Sequence, residues 1–517
     1  MLPETAKEQE PVAVADENRH FSTDHLKANL GARAARGGVI TLTAQVCKFA
    51  LSTVAAIVLA RLLTPQDYGL IGMVAIVIGF LGMFQYLGLP TATVSWSKLN
   101  HGQVSNLFWL NVALSTAIML LTIASAPLAA WFYHEPRLLG ITMGYGVIAF
   151  FSGLSIQHEA ILMRQMRFVV VAIIEIAAMA VGLVVAVIAA LKGAGYWALV
   201  LNQLALAIVM IVGAWTACWW RPGLPSRGSG VRSMVSYGGN LTGYSLMNYF
   251  SRNMDNMLLG KFWGAYQLGI YSRAYQMLLM PMAQINTPLV SVAVPALSRL
   301  SDSPVRYRAA YLKILAKIAM LTMPAVVYMI ATSDWLVLFL LGPQWQGTGR
   351  IFVLLGLAAF IQPVTRSVLW LFTTQGRSRE MFIWGVMGAI IAVVSIVAGL
   401  PWGATGVAAS YAITDLLIST PLLFWYAGRR GPVRAADFYR TIAPSLCASV
   451  GSLAALLAVR GWLEAWPSLM VRLSVALIVT IVTSLLVYAA LPAGRLAMHS
   501  FKETLMLLWK RESPSTI

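Results

Sequence analysis

The chain is 517 residues long, 59% hydrophobic and only 11% charged, whereas soluble domains are about 45–50% apolar and about a quarter charged; a soluble globular protein is excluded and bilayer residence remains. The formal charge of +18 at pH 7 does not point to nucleic acid, because a nucleic-acid binder gathers Lys and Arg on one folded surface, and here they sit in short loops between apolar runs. Cys47, Cys218 and Cys447 lie far apart with no metal-type spacing, which predicts free thiols, no disulfide and no metal site.

In chain order, residues 1–37 are polar, with Glu4, Glu8, Glu10, Asp16 and Glu17, and lack the apolar core and cleavage site of a secretory signal. They are expected to stay, uncleaved, in the cytoplasm. Apolar windows of about 20 residues bounded by charges, Pro or Gly then predict transmembrane helices near 38–60, 68–94, 105–128, 138–156, 168–190 and 195–217. These form a first lobe, 38–217. A basic cytoplasmic linker, 218–234, carries Arg221, Arg227 and Arg232. Spans near 235–259, 266–295, 311–333, 350–373, 382–400 and 404–427 form a second lobe, 235–427. After a cytoplasmic loop, 428–440, spans near 441–459 and 470–491 make a terminal pair within 441–491, followed by a cytoplasmic tail, 492–517. The fold class expected is an all-α polytopic membrane protein of about fourteen helices.

Loop charge supports the even count, since Lys and Arg collect on the cytoplasmic side. With the N-terminus inside, that side holds most of the cations, among them Arg33, Arg36, Lys98, Arg164, Arg167, Arg306, Arg308, Arg429, Arg430 and Lys502. The opposite side holds only Arg61, Arg137, Lys192, Lys261, Arg350, Arg460 and Arg472. A miscounted helix would invert the pattern downstream of it, so both termini are expected in the cytoplasm.

The two sets of six also echo each other. Ala60-Arg61-Leu62-Leu63 followed by Tyr68-Gly69-Leu70 returns about two hundred residues later as Gly260-Lys261-Phe262-Trp263 followed by Leu268-Gly269-Ile270, and Ser97-Lys98-Leu99 as Ser298-Arg299-Leu300. Because six is even, the repeats would run parallel about an axis along the membrane normal. Two lobes rocking about a central cavity are the expected architecture.

The run Ala60-Arg61-Leu62-Leu63-Thr64-Pro65-Gln66-Asp67-Tyr68-Gly69 resembles the signature of the polysaccharide transporter branch, the Wzx-type flippases, of the multidrug/oligosaccharidyl-lipid/polysaccharide superfamily. Arg164 with Arg167-Phe168, Leu268-Gly269-Ile270-Tyr271-Ser272-Arg273-Ala274, Pro295-Ala296-Leu297-Ser298-Arg299-Leu300 and Gly403-Ala404-Thr405-Gly406-Val407-Ala408 are similar to the same branch. The resemblance covers roughly residues 30–430. It implies a fourteen-helix exporter of the bacterial inner membrane, its two six-helix lobes in a MATE-like V-shaped arrangement. Its cargo would be undecaprenyl-diphosphate-linked repeat units for exopolysaccharide or lipopolysaccharide synthesis, beside partner polymerases and glycosyltransferases.

Catalytic and nucleotide-binding motifs are absent, so neither an enzyme nor an ATP-driven pump is expected, and no cofactor. Ionisable residues inside apolar spans are costly and default to functional candidates. They are Lys48, Glu175, Arg252, Asp255, Arg273, Arg366 and Asp415. Lys48, Arg252, Arg273 and Arg366 are candidates for attracting a diphosphate or acidic sugars, since guanidinium forks match such oxygens; alternatively, Arg252 and Asp255 neutralise each other and Arg366 snorkels. Glu175, Asp255 and Asp415 are candidate ion-coupling groups or charge partners. Asn248 and Asn256 share a helical stripe with Arg252 and Asp255, marking one polar face. Trp131, Trp197, Trp219, Trp220 and Trp335 lie at span ends, where indole belts form.

Two rivals share the fold, a multidrug exporter and a peptidoglycan-precursor flippase; the basic excess among intramembrane charges disfavours the first. A third, of another class, is a non-transporting scaffold of a polysaccharide synthase complex, for which intramembrane Arg and Lys would have no evident purpose.

Overall fold

The computed structural model describes residues 30–86, 89–96, 99–225 and 232–510. Among the described residues the chain is helical and contains no strand. Lipid offers the backbone no hydrogen-bond partner, so apolar segments satisfy their own N–H and C=O groups as helices.

The helices are α1 (Leu30–Leu62), α2 (Pro65–Tyr86), α3 (Leu89–Ser95), α4 (His101–Tyr133), α5 (Arg137–Arg164), α6 (Phe168–Leu191), α7 (Trp197–Cys218) and α8 (Arg232–Ser298). They continue as α9 (Pro304–Ala331), α10 (Ser333–Leu340), α11 (Thr348–Thr374), α12 (Ser378–Gly399), α13 (Gly403–Thr414), α14 (Thr420–Gly428), α15 (Ala435–Glu464), α16 (Leu469–Ala490) and α17 (Pro492–Lys510). Eleven stretches among the described residues are long and apolar enough to cross a membrane. Fourteen crossings would require the 51-residue stretch Ser378–Gly428 to cross twice and both segments of α8 to cross. Those segments meet at Gly264, whose φ of 78° and ψ of −177° interrupt the helix in a conformation that costs only glycine little.

The chain divides into two compact units, one running to Asn253 and taking in Gly260–Ala265, the other comprising Met254–Leu259 and everything from Tyr266 onward. In the first unit α4 packs on α5, α6 on α7 and α1 on α6. A capping box opens α4: the Asn100 side chain accepts the Gln103 N–H at 2.8 Å and the Gln103 side chain accepts the Asn100 N–H at 3.2 Å, satisfying two donors the helix leaves open. Gly69, in the run of residues after α1, lies against the turn at Gly264–Ala265. A Cβ there would stand 1.7 Å from the Ala265 carbonyl oxygen, so the backbones meet with no room for a side chain.

Arg164, counted above among the cytoplasmic-side cations, also has a structural role. It is 7% exposed and donates to the carbonyls of Thr93, Val94 and Trp96 at 3.0, 3.3 and 2.6 Å. One guanidinium thereby closes the C-terminal end of α3, where carbonyls lack partners and the helix dipole favours a cation. Arg164→Met is expected to lower stability by about 2 kcal/mol and Arg164→Lys by less; thermal unfolding in detergent measures both, and an unchanged Arg164→Met midpoint would contradict the capping role.

In the second unit α9 packs on α15 and α11, α11 on α13, and α12 on α13. Its core gathers Tyr307, Tyr311, Leu315, Phe372, Phe424 and Phe438. Two of its buried phenols are satisfied: Tyr307 Oη lies 2.6 Å from Thr374 Oγ1 and Tyr311 Oη 3.0 Å from Ser367 Oγ. Arg308 grips Asp437 with two bonds, Nε to Oδ2 at 2.8 Å and Nη2 to Oδ1 at 2.5 Å, tying α9 to α15. The close contact of α12 and α13 explains Gly406 in the family-like motif, because a Cβ there would stand 2.3 Å from the Gly399 carbonyl oxygen.

One expectation is corrected. Trp219 and Trp131 are 79% and 71% exposed, as belt residues should be, but Trp220 and Trp335 are buried, at 2% and 6%. Trp220 joins a cluster with Phe108, His101 and His158, donating from Nε1 to His101 Nδ1 at 3.2 Å, and Trp335 lies beneath Arg460 and Arg472. Within the segment expected as a tail, Pro492–Lys510 forms α17, with apolar residues on one side and Arg495, His499, Lys502 and Glu503 among its polar ones.

Candidate functional site

Each unit holds intramembrane charge. In the first, α1 and α6 pack together and bring Lys48 Nζ to 2.7 Å from Glu175 Oε2, both side chains a little under a third exposed. Glu159 on α5, beside Ser155, is a charged neighbour of Glu175. Two carboxylates therefore accompany one ammonium.

The second unit holds a larger polar cluster, built from α8, α11 and α13. Asp255 does not stand as an isolated acid: its Oδ2 accepts the Tyr271 hydroxyl at 2.9 Å and its Oδ1 the Asn256 N–H at 2.8 Å. Tyr275, one turn beyond Tyr271, stacks on it with centroids 6.5 Å apart and planes within 6°. Tyr411 has Asp415, Tyr275, Asp255 and Arg366 as charged or phenolic neighbours, and its oxygen accepts from Gln362 Nε2 at 3.4 Å.

Beside this cluster, α11, α12 and α13 enclose a cavity of about 200 Å³ lined by Arg366, Asp415, Tyr411, Thr365, Thr414 and Ser395, among others. Asp415 opens a π-helical turn, Asp415–Ser419, between α13 and α14. Such turns are rare inside α-helices and recur at functional sites. Asp415 Oδ2 is buried without a hydrogen-bond partner, a cost that a helix core would ordinarily remove. The cavity thus joins a cation, an acid with spare acceptor capacity and several hydroxyls. Such a set can hold an anion at Arg366 or a cation at Asp415.

The remaining candidates are distributed elsewhere. Arg273, half-buried on α8, donates from Nη1 to Gln276 Oε1 at 2.7 Å. Asn256 Oδ1 is buried without a partner. The side chains of Asn248 and Arg252 lie outside the described ones. Among the described residues no three His, Cys, Asp or Glu side chains gather as a metal would need, and the three cysteines are free.

Sequence reasoning missed Tyr271, Tyr411 and Glu159. A signal for the tyrosines existed: Tyr411 precedes Asp415 by four positions, as Tyr271 precedes Tyr275, so each pair shares a helix face. Aromatic residues are too common in membrane helices for that spacing to stand out.

The family described as polysaccharide biosynthesis protein matches residues 58–349, more than half of the chain. The lipopolysaccharide biosynthesis protein WzxC of Escherichia coli (strain K12) is 22% identical over 376 residues, 71% of this chain and 75% of that protein. The succinoglycan biosynthesis transport protein ExoT of Rhizobium meliloti (strain 1021) is 23% identical over 351 residues, 66% of this chain and 69% of that protein. A solved structure of the lipid II flippase MurJ in an inward closed conformation superposes with a TM-score of 0.64 at 13% identity, covering 88% of this chain and 99% of that one, and that likeness speaks to fold.

Proposed function

We propose that this chain, which belongs to the polysaccharide biosynthesis protein family, is a polysaccharide flippase that carries undecaprenyl-diphosphate-linked repeat units across the bacterial inner membrane by alternating access. The observation that carries this reading is the match of that family to a chain folded as a helical membrane body. Its contribution to polysaccharide synthesis is then made within the bilayer, as movement of cargo. The Escherichia coli and Rhizobium meliloti relatives, named as a lipopolysaccharide biosynthesis protein and a succinoglycan biosynthesis transport protein, agree with it.

In this reading Lys48, Arg252, Arg273 and Arg366 attract the diphosphate or acidic sugars, because guanidinium and ammonium groups in a low-dielectric setting bind anionic oxygens strongly. Asp415, Asp255 and Glu175 balance those charges or couple transport to an ion, and Asn248 and Asn256 extend the polar face. The lobes 38–217 and 235–427 are the moving bodies, both termini are cytoplasmic, and polymerase and glycosyltransferases act on either side of the step.

Reconstitution into vesicles with a labelled lipid-linked oligosaccharide tests the reading. The label is expected to become accessible to an impermeant reagent on the far leaflet only with the protein present. Equal accessibility in protein-free vesicles would remove the proposal, and a scaffold role would then stand.

A further inference from the structure

The second unit has another cavity, of about 390 Å³, at the corner where α10 and the turn after it meet α11. Its volume falls within the about 300–1,000 Å³ of small-molecule sites. The lining includes Asp334, Arg350, Gln346, Val337, Leu338 and Val353, and Gly342, at φ 98°, shapes the wall. The loop-charge pattern assigns this corner to the face away from the cytoplasm, because Arg350, Arg460 and Arg472 belong to the few cations there. Membrane topology disfavours cations on that face, yet Arg460 and Arg472 share the Trp335 ring and Arg350 lines the cavity.

Two of them have structural work. Arg460 binds Asp334 Oδ2 at 2.5 Å, Glu464 Oε1 at 3.0 Å and the Ala331 carbonyl at 3.0 Å, with its guanidinium 5.2 Å from the Trp335 ring centroid. Arg472 donates to the carbonyls of Trp466 and Glu464 at 2.6 and 2.9 Å. Arg350, which lines the cavity, has no ion pair or hydrogen bond among the described residues. Asp334 and Arg350 are the charged groups in the lining; Asp334 is already paired with Arg460, so Arg350 is the cation that faces the cavity without an acid partner.

We propose that this cavity is a subsite for a carboxylated monosaccharide, such as a uronate unit of an acidic glycan, on the non-cytoplasmic face; it rests on the flippase reading and names the class of sugar met at exit. Arg350 takes the carboxylate in a two-pronged hydrogen bond. Asp334, held still by Arg460, accepts from sugar hydroxyls. Val337, Leu338 and Val353 pack on the apolar face of the ring. A phosphate suits the site less well, because it brings more negative charge beside Asp334 than a carboxylate does and has no apolar ring face for Val337, Leu338 and Val353.

The test is isothermal titration of the full chain in lipid nanodiscs with D-glucuronate, D-glucose and inorganic phosphate, for the unaltered protein, Arg350→Ala and Arg350→Lys. The unaltered protein is expected to bind glucuronate at least about tenfold more tightly than glucose, Arg350→Ala to lose that preference and Arg350→Lys to keep part of it. Equal binding of the two sugars, no glucuronate binding, an undiminished preference in Arg350→Ala, or tighter binding of phosphate would each overturn the subsite. The preference of the unaltered chain decides the matter even if a variant does not fold. Translocation of the labelled lipid-linked oligosaccharide is followed separately: transport without a glucuronate preference removes only the subsite, whereas a preference without transport removes only the flippase reading.

Discussion

The Lys48→Ala protein is expected to be about 2–3 kcal/mol less stable than the unaltered chain, somewhat below the cost of breaking a fully buried pair because nearly a third of each side chain is open. Truncating the lysine strands Glu175, with the Glu159 carboxyl as a neighbour, in apolar surroundings. Lys48→Met combined with Glu175→Leu, which removes both charges and keeps the volume, is expected to lie within about 1 kcal/mol of the unaltered protein. Thermal unfolding in detergent distinguishes these, and equal stability of all three would show that the 2.7 Å contact contributes nothing. Export by the double variant then separates two roles. A stable double variant that exports normally makes the pair purely structural; one that is stable but inactive keeps Lys48 in contact with cargo.

The Arg366→Ala and Asp415→Asn proteins are expected to translocate lipid-linked oligosaccharide about 10–100-fold more slowly, the range for losing one charged hydrogen-bonding group, with unfolding midpoints little changed. Both side chains line one cavity, and Asp415 Oδ2 has no partner to lose, so neutralising it leaves the packing as it was. Asp415→Asn is also the variant in which any response of transport to an imposed proton gradient should vanish. Normal rates from both variants, with and without the gradient, would take this cavity out of the mechanism.

The helices were legible because lipid makes the physics simple: an apolar run long enough to cross must be helical. The expected 168–190 is Phe168–Leu191, and 470–491 is Leu469–Ala490. Gly264 falls between the expected spans 235–259 and 266–295. A window that looks for uninterrupted hydrophobicity cannot see α17, whose apolar residues occupy one face only, nor α10, which has eight residues. The charged candidates were legible as rarities. Their partners were not, because Lys48 and Glu175 are 127 positions apart and nothing local ties them. The capping role of Arg164 was hidden for a related reason. Arginine near the end of a span looks the same in sequence whether it faces headgroups or closes the end of a neighbouring helix.

The π-helical turn at Asp415–Ser419 has an evolutionary consequence. A turn closed by i→i+5 bonds holds one residue more than an α-helical turn, so this is where the α13–α14 span accommodates a single extra position. A relative with a plain helix here would align with Gly403–Thr414 or with Thr420–Gly428, but not with both unless one gap is allowed. Comparison of descendants should therefore place a one-residue gap within Asp415–Ser419, and a deletion there, unlike one elsewhere in the span, should return both halves to a common α-helical register.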